Sequence, residues 1–249
     1  MKLFHLFFLT LLLSACQPSE EIKKSEAAEK QSSPEPKTSS ENEHDKSHNH
    51  DHDHVQAQKA ILSPLLEQPY EIIESDEACS EPVVIEFFAY QCPHCYTLEK
   101  HSQAWQKENR GKVKFQSIPT HLGNQQFGPF ILVHETAKAL GLLDKVTPML
   151  FKRLHEEKKL FSSQGEAIDF LVSAGAKKEN ALKTMGDEEA IKTAIDSNFR
   201  LLAKYKISGV PTILVNHRYK FDVTKAGGYD KVFKVVDQTL KLPSNCNAK

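Results

Sequence analysis

The chain has almost no net charge: 32 Lys and Arg stand against 33 Asp and Glu, a formal −1 at neutral pH. That balance gives no electrostatic argument for nucleic acid or for a polybasic membrane contact. Cysteine is scarce, with five in 249 residues. This is too few for a disulfide scaffold, so each has to be read by itself. The apolar stretch at the start, residues 3–13, is interrupted by His5 and Thr10, and it falls short of the roughly 20 residues that a membrane helix requires. Aliphatic residues are nearly missing from residues 17–59, where Ile22 and Val55 are the only β-branched ones and ten acidic residues face six lysines. Such a segment cannot bury enough apolar surface to offset the entropy of ordering, and it reads as a disordered tether.

What the chain does have is concentrated in one stretch, Val83-Val84-Ile85-Glu86-Phe87-Phe88-Ala89-Tyr90-Gln91-Cys92-Pro93-His94-Cys95-Tyr96. A β-branched, apolar run leads into Cys-x-x-Cys, and a helical pattern follows with Leu98 and Trp105 on its apolar face. The first sulfur is thereby placed at a strand end and a helix N-terminus. Unpaired N–H groups and the positive end of the helix dipole there favour a thiolate, the form that attacks disulfides. Pro93 starts the helix at no loss, since its missing N–H would have had no partner. Glu86 breaks the apolar run. A buried carboxylate needs a partner or a task, and desolvation would raise its pKa; an edge-exposed Glu is the alternative.

The segment from Glu86 through Tyr96 resembles the active-site strand and helix of DsbA-type thiol:disulfide oxidoreductases. A second motif, Gly209-Val210-Pro211-Thr212, resembles the loop whose proline is cis in thioredoxin-fold proteins. By itself an X-Pro bond is expected to be trans; the resemblance implies cis. It further implies a thioredoxin-like α/β fold with an inserted helical domain. It implies an oxidative activity in which the Cys92–Cys95 disulfide is donated to exported proteins through a mixed disulfide at Cys92. In that reading His94 helps stabilise the Cys92 thiolate, Glu86 accepts or relays a proton, and Val210 and Pro211 offer backbone to an extended client. The implied partners are reduced exported polypeptides and a membrane redox partner that restores the disulfide, with no cofactor.

The pattern of elements agrees. A short strand is expected around residues 70–73, a second over 83–89, a helix over 95–109 and a half-buried strand over 112–118. Residues 123–205 show no strand, but carry helical spacing at 130–140, 145–155, 165–174 and 188–205, with Gly141, Gly175 and Gly186 as stops. A strand follows Pro211, a turn spans 216–218, a last strand 219–223, and a terminal helix 229–240. The organisation expected is a signal segment at 1–16, a tether at 17–59 and a thioredoxin-like domain at 60–249 with its helical insertion at about 123–205.

The opening segment ends Leu13-Ser14-Ala15-Cys16, which resembles the lipobox of bacterial lipoproteins. That implies a lipid-anchored periplasmic protein with acylated Cys16. Gln17 in place of Asp favours the outer membrane; an ordinary secretory signal with a chance cysteine is the alternative. Four cysteines would remain. With Cys92 committed to Cys95 as the resemblance implies, Cys79 and Cys246 are left to pair, closing a long loop; the alternative is two unpaired thiols. His44, His48, His50, His52 and His54 alternate with acids and amides. They form either a weak site for Zn, Cu or Ni or a soluble spacer. Two functional alternatives stand beside the oxidase: a membrane-tethered reductase or isomerase, and a metal-handling lipoprotein. Replacing Cys16 with Ala is expected to release the protein into the soluble fraction on cell fractionation; unchanged membrane partitioning would refute acylation there.

Overall fold

The computed structural model describes residues 68–246. The signal segment, Cys16, the tether and its five histidines therefore lie outside the described residues. Strands β1 (Glu71–Ile72), β2 (Val83–Phe88) and β3 (Lys114–Pro119) come before a run of helices, and β4 (Thr212–Val215) and β5 (Tyr219–Asp222) come after it. The sheet order is β1-β5-β4-β2-β3. Among the five described strands only the β2–β3 pair is parallel, joined by helix α1 (Pro93–Asn109), as a parallel crossover requires.

All six residues of β2 are buried, because both faces of the sheet are covered. Val83, Ile85 and Phe87 point into one core layer with Tyr205 and Leu214. Val84 points into the opposite layer with Leu98, Trp105 and the apolar face of the terminal helix α8 (Tyr229–Thr239). The period-two alternation of a strand puts Glu86 on the same side as Val84, towards α1. Phe88, at the end of the strand, belongs to a third cluster shared with the inserted helices.

The insertion consists of α2 (Gly128–Ala139), α3 (Leu143–His155), α4 (Gln164–Ser173), α5 (Lys178–Gly186) and α6 (Glu188–Lys204). Four of these follow the expected spacing. Helix α5 was not expected: it buries only Ala181 and Met185 and has no capping side chain, so its sequence signal is faint. Gly186 is its last residue rather than a residue beyond it. Val223 leaves the expected last strand and opens a short helix, α7 (Val223–Ala226), because Asp222 caps the Lys225 N–H at 2.8 Å. The β4–β5 turn carries positive φ at both Asn216 and His217, the geometry of tight hairpins. The Asn216 side chain accepts from the Val83 N–H at 3.0 Å and so ties that turn to the start of β2.

Cys79 and Cys246 are joined in a disulfide, Cα–Cα 4.3 Å, across 167 residues. The bridge fastens the C-terminal tail to the segment that enters β2. Replacing both cysteines with serine is expected to lower stability by about 2–5 kcal/mol in denaturant unfolding, with exchange at Cys92 unaffected.

Candidate active site

Cys92 is the N-cap of α1, with extended backbone (φ −81°, ψ 117°). Its sulfur accepts the Cys95 N–H at 3.4 Å and lies 3.6 Å from the Val210 carbonyl oxygen. The Val210–Pro211 bond is cis, so two motifs 118 residues apart meet at one sulfur. Both cysteines are free thiols, 8% and 1% exposed.

The two thiols are pushed in opposite directions. The Cys95 side chain hydrogen-bonds to the Cys92 sulfur, and this is the main reason that the Cys92 pKa falls to about 6, against the opposing effect of burial. The backbone N–H groups of Cys95 and His94 add to the fall, and the His94 charge contributes last. Burial raises the Cys95 thiol far above its ordinary range, and its hydrogen bond to Cys92 adds to this. The pair therefore favours a thiolate at Cys92 and keeps the proton on Cys95.

The resemblance implied a supporting role for His94, and its backbone N–H and its charge are the smaller contributions to the lowered Cys92 pKa. Its ring is exposed and turned to α8, where Nδ1 lies 2.5 Å from the Tyr229 hydroxyl and the two rings are near-parallel at 19°. Gly227 and Gly228, both at positive φ, make the turn that delivers Tyr229 to this position.

Glu86 is 4% exposed and sits behind the pair on the α1 side. It accepts the Ser102 hydroxyl at 3.0 Å. Burial first, and then the charge of Glu99, raise its pKa to about 8. Glu99 is itself raised to about 7 by burial, with Gln103 Nε2 donating to it at 2.8 Å. Both acids line a cleft of about 750 Å³ between α1, β3 and the inserted helices. Glu99 and Ser102 lie four and seven residues after Cys95, on the helix face that must turn towards the strand. That spacing was the available signal for them.

The turn before Cys92 is held from the other side. The Tyr90 hydroxyl hydrogen-bonds buried His134 Nδ1 at 2.8 Å, and burial keeps His134 neutral, its pKa pushed down to about 3. The Tyr90 carbonyl faces His155 Nε2 at 2.6 Å, and Gln91 Nε2 donates to the His121 carbonyl at 2.7 Å. None of these contacts was visible in local sequence. Among the described residues no group of three or more His, Cys, Asp or Glu converges as metal ligands, and no helix is long and apolar enough to cross a membrane.

A thioredoxin family model matches residues 77–237. The thiol:disulfide interchange protein DsbA of Pseudomonas syringae pv. tomato is 34% identical over 159 residues, 63% of this chain and 72% of that protein. The chain belongs to the DsbA family of thiol:disulfide oxidoreductases. The DsbA of Burkholderia cepacia is 29% identical over 189 residues, covering 74% of this chain and 88% of that protein. The crystal structure of Pseudomonas aeruginosa DsbA superposes with a TM-score of 0.63 at 29% identity, over 70% of this chain and 91% of the other. In this DsbA-family protein the matched region takes in the Cys-x-x-Cys, the cis-proline loop and the whole helical insertion.

The acid behind the pair makes a prediction about stability. Glu86 ionises near 4.5 when unfolded and near 8 when folded. Its protonated form therefore contributes stability that is fully present below pH 4.5 and is lost as pH rises through 8. At pH 7 the penalty is about 3 kcal/mol, at 1.36 kcal/mol per pKa unit. Glu86→Gln, which keeps an acceptor for Ser102, is expected to be more stable than the parent by that order at pH 7 and equal to it at pH 4, in urea unfolding followed across pH.

Proposed function

We propose that this protein oxidises cysteine pairs in exported polypeptides by giving up a Cys92–Cys95 disulfide. The observation that carries the proposal is the opposed pair of thiols: a Cys92 sulfur favoured as thiolate beside a Cys95 sulfur held as thiol. A client thiolate attacks Sγ of Cys92. The Cys92–Cys95 bond breaks, a client–Cys92 bond forms, and Cys95 leaves and takes up a proton. A second client thiolate then attacks the client sulfur. The client departs with its new disulfide, and Cys92 leaves as thiolate. Two electrons pass from client to protein. A leaving thiolate of low pKa makes the last step fast and the reduced form stable, which is what an oxidant needs.

Glu86 is placed to take or return the Cys95 proton, since its own pKa near 8 lets it do either around neutral pH. The cleft that it shares with Glu99 lets that proton reach water away from the Cys92 face. The Val210 backbone, held by the cis bond beside Cys92, is suited to pair with an extended client as an added strand. Pro211 leaves no N–H there to compete.

The partners are reduced client proteins and a redox partner that reoxidises the pair; a membrane location for that partner is part of the proposal. The compartment in this reading is the periplasm, with the chain held to a membrane through an acylated Cys16. The names of the relatives carry no support for a membrane-tethered reductase or isomerase. A metal-handling role would leave the cis-proline loop without a task.

The test is direct. Cys95→Ser, which leaves Cys92 without a resolving thiol, is expected to attack a disulfide-bonded client and accumulate a mixed disulfide on Cys92, visible on non-reducing gels, and Cys92→Ser to be inactive. The equilibrium potential against glutathione is expected to be oxidising, and His94→Pro to make it more reducing, by roughly 30 mV for each 1.4 kcal/mol of thiolate stabilisation lost. A strongly reducing parent, or no mixed disulfide, would overturn the proposal.

A further inference from the structure

Two residues that bracket the cysteine pair, Tyr90 and Tyr96, are held by two consecutive residues of the helical insertion. His155, the last residue of α3, has Nε2 2.6 Å from the Tyr90 carbonyl oxygen. Its ring lies flat on Tyr96, centroids 4.6 Å apart and planes within 5°. The next residue, Glu156, accepts the Tyr96 hydroxyl at 2.6 Å. The Tyr90 side chain is fixed independently. Its hydroxyl bonds His134 of α2, and its buried ring packs on Phe151 of α3 at 4.9 Å.

Between these two grips lies the backbone that sets the geometry of Cys92. The Cys92 N–H donates to the Ala89 carbonyl at 3.1 Å, and the Cys92 carbonyl accepts from Tyr96 at 3.1 Å. The N-cap bond from the Cys95 N–H to the sulfur requires Cys92 to stay extended. A rotation of the Tyr90–Gln91 peptide would carry Cys92 out of that position, and the His155 imidazole is the group that opposes the rotation at its carbonyl. His155 bonds the Tyr90 carbonyl and stacks on Tyr96, so it acts on the cysteine pair through these two residues.

We propose that His155 is a positioning residue for thiol–disulfide exchange: with Glu156 it closes a clamp from the helical insertion on both flanks of the cysteine pair and so holds Cys92 in its N-cap conformation. The inserted helices thus set the reactivity of the pair in addition to covering it. The inference rests on Cys92 being the exchanging thiolate.

Two substitutions separate the parts of the clamp. His155→Phe keeps a ring to stack on Tyr96 and removes the donor to Tyr90. His155→Gln keeps a donor and removes the aromatic ring. The readouts are the pH titration of the Cys92 thiolate by its ultraviolet absorbance and the equilibrium potential against glutathione. H155F is expected to raise the titration midpoint by about 0.5 unit, roughly a threefold loss of thiolate, and to make the potential more reducing by about 14 mV at 29.6 mV per tenfold. H155Q is expected to recover most of both. Tyr96→Phe removes only an exposed hydroxyl, so it supplies the measurement if H155F does not fold, and it should shift the midpoint in the same direction. A purely structural role would lower the melting temperature and leave both readouts in place. An unchanged midpoint and potential in every variant that folds would overturn the clamp. H155Q no better than H155F would do the same. A parent thiol that titrates in the ordinary cysteine range would overturn the reading of Cys92 as well, so the two failures are distinguishable.

Discussion

The sulfur of Cys92 at the N-cap of α1 is where the structure's constraints meet. It accepts the Cys95 N–H and the Cys95 thiol, and these donors together outweigh a burial that would otherwise favour the neutral form. A thiolate so held is a stable product and a weak partner in a disulfide. Much of the surrounding structure serves to keep that arrangement in place. Strand β2 fixes the approach, Pro93 frees the helix start, and the cis Val210–Pro211 bond walls the sulfur on its open side.

The back of the pair obeys a different constraint. Glu86 is on the α1 side of β2 because the strand alternates, and among the described residues no cation lowers its pKa. Ser102 and a protonated state satisfy it instead. Burial, with the charge of Glu99 adding to it, raises Glu86 to about 8, and burial raises Glu99 to about 7, so Glu86 keeps its proton at neutral pH while Glu99 titrates there. The arrangement reduces stability at neutral pH, and such a cost is expected where a group is kept for proton transfer. The inserted helices complete this wall and supply the cleft through which it meets water.

The fold was legible wherever a pattern is local. The apolar run of β2, the spacing of four inserted helices and the stops at Gly141 and Gly175 depend on neighbours within a turn or a few residues, and hydrophobic period reads these well. Helix α5 was missed because two buried residues make no period. Val223 was misread because a capping Asp outranks a β-branched residue at a strand end. In the site, Cys92, Cys95 and Glu86 stand out by residue type against their surroundings. Glu99 and Ser102 could have been found from the helical offset after Cys95. Tyr90, His134, His155 and Tyr229 could not, since each looks like an ordinary core or surface residue in its own segment.

The sequence alone determined the covalent facts and their immediate physics: a dithiol two residues apart at a strand–helix junction, a proline that starts the helix, and an acid in an apolar strand. These are set by chain neighbours, and their consequences do not wait on the rest of the fold. Tertiary structure decided which distant groups face that junction. Val210 arrives from 118 residues away, Tyr229 from 135 and His155 from 65. Their arrival depends on the summed packing of two sheet faces and five inserted helices. No residue carries that information in its own neighbourhood, so the turning of His94 to Tyr229 and the hold of α3 on the active-site turn exist only in the folded chain.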